Sequence, residues 1–285
     1  NISLDFNGVT LTGNGSGIGV NISNYSNVVI TNANIINFST GIYADPAIGI
    51  NITLSNISAT TYAIFLYQIN QSNILNNSLF NNTWAIYFND SHNNTVAHNN
   101  ITLNTKGFEL TNSTNSTIYN NYFSNTQNAL DDGSINNWNS SYSVGSNILN
   151  STATNAGGNY WNGYTGKDIG GGAYPYNTSG DGIGDTQIPY SVGITGGDRL
   201  PLTIDKGGSI SCNSITNDTV LTSSVTCSTG SGITIAANNV TLNCNGNSIS
   251  GTGIGAGIKV VGQEGVIIRN CNVTNFYYGI QLENA

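Results

Sequence analysis

Apolar positions recur along the chain at a fixed interval of 22 residues. Fixed-period self-similarity is typical of a solenoid, in which each repeat is one rung resting on the last. The unit carries short runs of β-branched and aromatic residues and leaves no room for a helix of about ten residues. The pattern therefore predicts an all-β fold, a right-handed single-stranded parallel β-helix with three strands in each rung. The three inward series are Val20, Ile42, Ile64, Ile86, Phe108 and Leu130; Ile30, Ile52, Ile74, Val96 and Ile118; and Ile35, Ile57, Leu79, Ile101 and Phe123.

Asparagine residues also recur at intervals of 22 residues or a multiple of it. One partial series runs through Asn34, Asn56 and Asn100, one residue before the third apolar series, and a second runs through Asn32, Asn76 and Asn120. Stacked asparagine amides can hydrogen-bond from rung to rung along a coil, as they do in cross-β ladders. Asparagine is also a good turn former. The sequence leaves both interpretations open, at different positions.

The pattern divides the chain into three parts. It extends over residues 1–157, is lost over residues 158–206, and restarts within residues 207–285. The middle part is rich in Gly, Tyr and Asp, and we expect it to cover the open end of the first coil, because terminal rungs expose unpaired backbone edges. Residues 239–285 align without a gap with residues 1–47, so the last part is predicted to hold a cap and the first rungs of a second β-helix module. We interpret the chain as a window on a tandem array, or as a subunit that meets its neighbour end to end.

The four cysteines lie in this last part. Cys244 and Cys271 align with two residues of the first copy that are not cysteine, and their separation is close to one rung. Their joint absence from the first copy predicts a disulfide between adjacent rungs, and Cys212 would then pair with Cys227 in the cap. A metal site is the alternative, although the sequence has neither a CxxC motif nor an accompanying histidine. An even number of cysteines suits an oxidising compartment.

The charge of the chain limits its partners. Charged residues make up only 7% of the sequence and the net charge is −8, which disfavours binding to nucleic acid. No apolar run reaches the roughly 20 residues that span a bilayer, so no membrane span is predicted in this segment. The sequence starts at Asn1 in mid-pattern, which suggests a mature or excised piece.

Asn-x-Ser/Thr sequons are dense, and they would let a secreted protein carry N-linked glycans. The alternative is that a chain rich in Asn, Ser and Thr forms sequons by chance. Together with the cysteines, the sequons favour an extracellular location at a cell surface. The candidates are Asn51, Asn56, Asn81, Asn93, Asn100, Asn112, Asn115, Asn139, Asn150, Asn217, Asn239 and Asn272.

A segment rich in Gly and Asp fits the pattern of an oxygen-ligand calcium loop. Gly182 takes the position of the sharp turn, but Ile188 stands where such a loop usually has a glutamate. Asp168 or Asp198 could complete the shell from a distance. The sequence predicts a structural calcium that braces the cover of the coil, with a simple Gly-Asp turn cluster as the alternative. The proposed ligands are Asn177, Ser179, Asp181, Asp185 and the carbonyl of Ile183.

Two further groups of polar residues are candidate sites. Asp131 and Asp132 form the only adjacent carboxylate pair, but they lie where the period fails and have no nearby Arg, Lys or His, so no catalytic residue is predicted. His92 and His98 are interpreted as surface substitutions. With two histidines and no methionine, the chain is poorly provided for copper.

Aromatic residues offer a different chemistry. They could stack on sugar rings, or they could plug the end of a solenoid. The candidates are Trp84, Trp138 and Trp161, with Tyr160 and Tyr164.

Several segments carry a resemblance to a known group. They are Gly158-Asn159-Tyr160-Trp161, Asp181-Gly182-Ile183-Gly184-Asp185-Thr186, Asp198-Arg199-Leu200-Pro201-Leu202 and the opening segment from Ile215 to Leu242. Together with the apolar series, they resemble the carbohydrate-binding and sugar-hydrolase (CASH) type of right-handed β-helix repeat found in secreted and surface proteins of archaea. The resemblance implies the fold and a location outside the cytoplasm. It implies no single activity, since the group includes sugar-processing enzymes, a periplasmic copper-site maturation protein and many surface proteins.

Three functions follow as hypotheses. The first is a structural, non-enzymatic subunit of a glycosylated extracellular filament, sheath or stalk, whose partners are copies of itself joined end to end. The second is an adhesin that binds surface glycans. The third is a polysaccharide lyase or hydrolase. An aromatic-lined outer face would favour glycan binding, and convergent carboxylates beside a basic residue would favour an enzyme.

Overall fold

The computed structural model describes residues 1–149, 155–169, 172–178, 181–203, 212–221, 224–228 and 230–284. The chain forms two compact units, residues 1–203 and residues 204–285. Over the described ranges both units consist of strands, turns and irregular segments. Within the same ranges, no helix has the length and apolar character needed to cross a membrane.

The first unit is built from short strands that follow one another around a coil. They are β1 Ile2–Asp5, β2 Thr10–Thr12, β3 Ile18–Ser23, β4 Val28–Thr31, β5 Asn34–Ile36, β6 Thr40–Asp45, β7 Ala47–Ile48, β8 Asn51–Thr53, β9 Asn56–Ser58, β10 Tyr62–Tyr67, β11 Ile69–Asn70, β12 Asn73–Leu75, β13 Ser78–Phe80, β14 Trp84–Asn89, β15 Thr95–Ala97, β16 Asn100–Thr102, β17 Lys106–Thr111, β18 Thr117–Tyr119, β19 Tyr122–Ser124, β20 Gln127–Asp131, β21 Ser143–Val144, β22 Asn155–Ala156 and β23 Tyr160–Trp161.

Three parallel sheets form the walls of this coil. Sheet 1 has the order β1-β4-β8-β12-β15-β18, sheet 2 has β3-β6-β10-β14-β17-β20, and sheet 3 has β2-β5-β9-β13-β16-β19-β23. Each strand pairs with the equivalent strand of the next rung, as the 22-residue step requires. The predicted parallel β-helix is thus confirmed.

The inward series stack as predicted. Ile64 pairs in register with Ile42 on one side and with Ile86 on the other, and all three side chains are fully buried. Complete burial of an isoleucine side chain contributes about 1.5–3 kcal/mol, so each rung adds to one continuous apolar core.

The prediction for the last member of the first inward series, Leu130, is wrong. Phe108 pairs with Ala129, not with Leu130, and Leu130 lies on the outer side of sheet 2 opposite Glu109. The cause is a turn shortened by one residue: the structurally equivalent Asn104 and Asn125 are 21 residues apart. Because side chains alternate between the two faces of a strand, a one-residue change moves each side chain to the other face.

Of the two interpretations of the predicted asparagine series, the structure bears out the turn former. Asn32, Asn76 and Asn120 adopt left-handed backbone torsions, with φ of 55°, 57° and 51°, which asparagine tolerates better than most residues. They are turn formers. Asn56 and Asn100, in the other predicted series, are exposed on the outside of the coil.

The amides that stack inside the coil belong to columns the sequence analysis did not single out. In one column the Nδ2 of each asparagine donates to the Oδ1 of the next, from Asn77 to Asn99 at 3.0 Å, then to Asn121 at 2.9 Å and then to Asn159 at 2.9 Å. A second column runs from Asn82 through Asn104 to Asn125. These side chains are nearly or fully buried and satisfy backbone groups of the turns.

The coil extends slightly beyond the boundary at residue 157 expected from the sequence. Strand β23 joins sheet 3, with Tyr122 opposite Tyr160 and Phe123 opposite Trp161. Beyond it, the described residues up to residue 203 are largely irregular. Tyr190 and Ile194 from this part pack into the core cluster of the coil.

The second unit repeats the three-walled coil. Its strands are β24 Ser214–Ile215, β25 Thr219–Val220, β26 Val225–Thr226, β27 Ile233–Ile235, β28 Thr241–Asn243, β29 Ser248–Ser250, β30 Ala256–Val261, β31 Ile267–Arg269, β32 Asn272–Thr274 and β33 Tyr278–Glu283. They form three parallel sheets, β24-β27-β30-β33, β25-β28-β31 and β26-β29-β32. The disulfides Cys212–Cys227 and Cys244–Cys271 have the pairing expected from the sequence.

We expect the Cys244–Cys271 bridge to stabilise the second unit only. It closes a loop with a sequence separation of 27, and replacing both cysteines with alanine should cost about 3 kcal/mol in the free energy of unfolding of that unit. All three tryptophans lie in the first unit, so their fluorescence reports the first unit alone. Calorimetry should show one transition moved to lower temperature, while the tryptophan transition stays in place. A tryptophan transition that moved by the same amount would contradict the prediction.

Candidate functional site

The outer face of sheet 2 carries a cluster of aromatic side chains. On the strands of this sheet Ile42, Ile64 and Ile86 point into the core, and the residue after each of them lies on the outer face, as strand alternation requires. The alternation is interrupted before Ile64 and Ile86, where Ala63 and Ala85 are fully buried and Tyr62 and Trp84 are partly exposed. The aromatic residues therefore form two adjacent columns on this face. We call this surface the aromatic platform; it consists of Tyr43, Tyr62, Phe65, Trp84 and Tyr87.

The rings of the platform contact one another. The ring centroids of Tyr62 and Trp84 are 4.7 Å apart at an interplanar angle of 20°, and those of Phe65 and Tyr87 are 4.9 Å apart at 37°. Tyr62 joins the two columns through a stacked contact with Tyr87 at 5.8 Å. Tyr43 meets Phe65 edge to face. The separations match the strand spacing of about 4.8 Å, so the register of the sheet sets the positions of the rings. All five side chains remain partly exposed.

A charged pair borders the platform on strand β17. Lys106 follows Tyr62 and Trp84 in register, and Glu109 follows Phe65 and Tyr87. The Lys106 Nζ donates to Glu109 Oε2 at 2.7 Å and lies 5.0 Å from the centroid of the Trp84 ring. The same Glu109 oxygen accepts a hydrogen bond from Trp84 Nε1 at 2.6 Å. The pair therefore fixes the orientation of the indole.

The hydroxyl groups of Tyr43 and Tyr62 stay protonated at neutral pH. Partial burial raises the pKa of Tyr62, and the nearby Tyr87 and Glu109 act in the same direction, against Lys106. Partial burial also raises the pKa of Tyr43, and the carboxylate of Asp45, which accepts a hydrogen bond from the Tyr43 hydroxyl at 3.2 Å, adds to this effect. Protonated hydroxyls can both donate and accept hydrogen bonds.

The carboxylates at this face are too far apart to form a glycosidase pair with each other. Asp45 lies on β6 and Glu109 on β17, three strands away. Three strand spacings amount to about 14 Å, whereas the two carboxylates of a glycosidase lie about 5–9.5 Å apart. Asp45 and Glu109 therefore do not form such a pair.

The carboxylate pair weighed from the sequence serves local turns. Asp131 Oδ1 accepts a hydrogen bond from the backbone N–H of Gly133, and Asp132 Oδ1 accepts from Ser134. Asp132 Oδ2 accepts from the backbone N–H of Asn112 in the preceding rung. Burial acts to raise the pKa of Asp132, but the hydrogen bonds from Ser134 and Asn112 together outweigh it and lower that pKa, so both the contacts and the charge fit a structural role.

Two of the three tryptophans lie at the end of the apolar core, and the third lies on the outer surface. Trp138 and Trp161 are almost fully buried, and Trp161 stacks on Phe123 at 4.6 Å, so these two close the end of the core. Tyr160 stacks on Tyr122 outside sheet 3, at 4.4 Å. Trp84 alone belongs to the platform.

The predicted calcium loop is described only in part, because Ser179 lies outside the described residues. Asp181 accepts hydrogen bonds from the Tyr142 hydroxyl at 2.8 Å and from the backbone N–H of Ile183 at 2.9 Å. Asp168 accepts from the backbone N–H of Gly182 at 2.7 Å. These contacts order the loop through its own groups, and calcium stays a prediction.

The sequon asparagines differ in exposure. Asn150 lies outside the described residues, and Asn51 is half-buried and accepts a hydrogen bond from Asn73. Asn139 is also half-buried and accepts a hydrogen bond from the backbone N–H of Arg199. The other nine candidates are exposed, so their side chains are open to modification. Glycosylation stays a prediction.

The platform is the feature that the sequence analysis missed. A signal for it was present, because Tyr43, Phe65 and Tyr87 follow the same 22-residue step, as do Tyr62 and Trp84. The apolar series that faces inward does not include these aromatic residues, and only Trp84 is among the candidates predicted from the sequence.

Comparison with protein families gives one match. The model of the family described as "Periplasmic copper-binding protein (NosD)" matches residues 2–166. Comparison with curated proteins gives no match.

The chain is also similar to solved structures. DFA-IIIase from Arthrobacter chlorophenolicus A6 is 14% identical, with 87% of this chain and 47% of that chain covered and a TM-score of 0.37. The catalytic domain of a GH87 alpha-1,3-glucanase in complex with nigerose is 13% identical, with 98% and 63% covered and a TM-score of 0.22. The chain spans about half the length of the DFA-IIIase chains that it matches.

These comparisons correct one prediction. The expectation that the chain is not an enzyme is wrong as an inference from its architecture, because the solved structures similar to it are enzymes. At 13–14% identity the likeness concerns the fold alone, and it assigns neither an activity nor a substrate to this chain.

Proposed function

The chain belongs to the family of periplasmic copper-binding proteins (NosD), and from its own surface chemistry we propose that it binds carbohydrate through the aromatic platform. The family description and the two disulfides agree with a location outside the cytoplasm, where disulfides persist. Glycans are abundant potential ligands there. A position at the cell surface is part of the proposal.

The donor groups of this chain do not fit copper. Among the residues that the structure describes, no three His, Cys, Asp or Glu side chains converge into a group that could hold a metal ion. The four cysteines form disulfides, and the sequence contains no methionine. Copper sites are built from imidazole, thiolate and thioether ligands, so the metal-binding chemistry named by the family is not carried by these residues.

The observation that carries the proposal is a set of five partly exposed, mutually packed rings, bordered by hydrogen-bonding groups. The C–H faces of a sugar ring are apolar while its rim is polar. An aromatic surface removes those faces from water, and the surrounding hydroxyl, carboxylate and ammonium groups meet the rim. Because the rings already pack against one another, binding a ligand orders few additional side chains, which lowers its entropic cost.

The proposal predicts that Trp84→Ala weakens glycan binding by about 30-fold, because central aromatic side chains of an interface often contribute 2 kcal/mol or more. The measurement is affinity for a panel of soluble polysaccharides, by calorimetry or affinity electrophoresis. Tyr122→Ala is the matched control, since it removes a stacked, partly exposed ring from the outer face of sheet 3. Equal binding by the Trp84 variant and the intact protein would refute the proposal, and so would a panel that contains no ligand.

The assembly expected from the tandem pattern is a separate proposal. Copies joined end to end would form a filament, and analytical ultracentrifugation or electron microscopy of the native material would test this. A protein that stays monomeric at high concentration would exclude the filament.

A structural calcium ion is a further proposal with its own test. A chelator should lower the melting temperature if the loop near Asp181 holds the ion.

A further inference from the structure

The charged pair at the border of the platform also indicates which class of glycan it accepts. We infer that the ligand is a neutral glycan, with a pair of sugar hydroxyls anchored by Lys106 and Glu109 together. This inference rests on the proposed function, because it assigns a ligand class to the same surface.

Lys106 and Glu109 offer both kinds of hydrogen-bonding group side by side. The ammonium of Lys106 has three N–H groups, and its bond to Glu109 uses one of them. Glu109 Oε2 accepts hydrogen bonds from both the Lys106 ammonium and the Trp84 indole. The other carboxylate oxygen, Oε1, can therefore accept a hydrogen bond from a ligand. The side chains are 27% and 17% exposed, so a ligand can reach them.

This arrangement is complementary to adjacent hydroxyls of a sugar. A hydroxyl is at once a donor and an acceptor, so one can accept from Lys106 while its neighbour donates to Glu109. Trp84 lies beside the pair, held by its own bond to Glu109, and its ring is in position to meet the apolar face of the same sugar.

The charge at the platform disfavours acidic glycans. Lys106 is the only basic side chain of this surface, and Glu109 neutralises it at 2.7 Å. Asp45, beside Tyr43, adds a second negative charge. The carboxylate of a uronic acid would have to displace Glu109 from Lys106 or lie close to like charges, and both are costly where groups are partly desolvated.

The experiment compares the intact protein with a Glu109→Gln variant on neutral glucans and galactans and on polygalacturonate and alginate. Glutamine keeps an oxygen that can accept from Trp84, but it leaves the Lys106 ammonium without its counter-charge. The intact protein should bind neutral polymers only. The variant should gain affinity for the acidic polymers by about tenfold at low salt, and this gain should fade as salt screens the interaction.

Glu283→Gln is the matched control. It removes the same charge from the Lys259–Glu283 ion pair of the second unit and should leave the preference for neutral polymers unchanged. Melting curves establish that both variants are folded. Preference of the intact protein for acidic polymers would overturn the inference while leaving carbohydrate binding in place. A Glu109 variant with unchanged selectivity would also overturn it, whereas binding to neither class would refute the proposed function itself.

Discussion

Replacing Asn99 with alanine is expected to destabilise the first unit by on the order of 5 kcal/mol, enough to unfold a domain of ordinary stability. The Asn99 side chain is fully buried in the longer amide column. Its Oδ1 accepts from the backbone N–H and from Nδ2 of Asn77, and its Nδ2 donates to the carbonyl of Ile74, the carbonyl of Ala97 and the Oδ1 of Asn121. One substitution therefore removes five hydrogen bonds.

The size of the effect follows from the groups that remain. A buried donor or acceptor that loses its partner costs about 1–3 kcal/mol. Alanine fills none of the space left by the amide, and any water that enters replaces only part of the network. The aligned amides also polarise one another, so an interruption in the middle of the column weakens the bonds on both sides.

Asn100→Ala is the matched control, since the neighbouring side chain is exposed and its loss should change stability by less than about 0.5 kcal/mol. Both variants are best produced in a host that does not glycosylate, because Asn100 is a sequon. Urea unfolding followed by tryptophan fluorescence gives the free energies. An Asn99 variant within about 1 kcal/mol of the intact protein would show that the column is not a major source of stability.

The fold could be predicted because the inward positions of its strands are filled by apolar residues. Ile42, Ile64 and Ile86 had to repeat at the length of one rung, and the period was visible in the sequence. The error at Leu130 arose where one turn is shorter by one residue. Ala129 and Leu130 are both apolar, so the spacing of apolar residues does not show which of the two faces inward.

The amide columns could not be predicted for a different reason. Asparagine occupies both exposed turns and buried columns, and the two uses follow the same 22-residue step. Asn76 and Asn77 are adjacent, yet the first adopts a left-handed turn while the second is buried. The two uses differ only in the direction in which the side chain points, and the residue type does not reveal that direction. One column of the aromatic platform, Tyr43, Phe65 and Tyr87, was readable from the sequence by following outward positions as well as inward ones. The other column was not, because Tyr62 and Trp84 reach the outer face through a break in the strand alternation.

Asp198 terminates the longer amide column, and it should make the first unit more stable at pH 5 than at pH 8. Its Oδ2 accepts from the backbone N–H of Asn159 at 2.7 Å, from Asn159 Nδ2 at 3.3 Å and from Trp161 Nε1 at 2.9 Å, while its Oδ1 accepts from the backbone N–H of Leu200. The residue is fully buried. Burial raises the pKa of Asp198 to about 7 from the ordinary value of 3.8, although these four donors oppose the shift.

A carboxyl group with a raised pKa in the folded state binds its proton more tightly there than in the unfolded chain. Its stabilising effect is therefore complete below about pH 4 and is lost as the pH rises toward 7. Each pH unit costs about 1.4 kcal/mol where the pH lies well between the two pKa values, and less as the pH approaches 7. The free energy of unfolding should therefore fall by about 2.5 kcal/mol between pH 5 and pH 8 and level off above pH 7.

The test measures urea unfolding by tryptophan fluorescence from pH 5 to pH 8 in the intact protein and in Asp198→Asn. The variant loses one acceptor but cannot titrate, so its stability should be nearly independent of pH where that of the intact protein declines. Burial lowers the pKa of His98 in the folded state, so this residue makes the free energy of unfolding rise as the pH rises. His98 would therefore partly mask the decline caused by Asp198. A His98→Asn background removes this term and keeps a residue suited to the left-handed turn. Parallel pH profiles with and without Asp198 would show that another group is responsible, since Trp161 reports directly on the environment of this carboxyl.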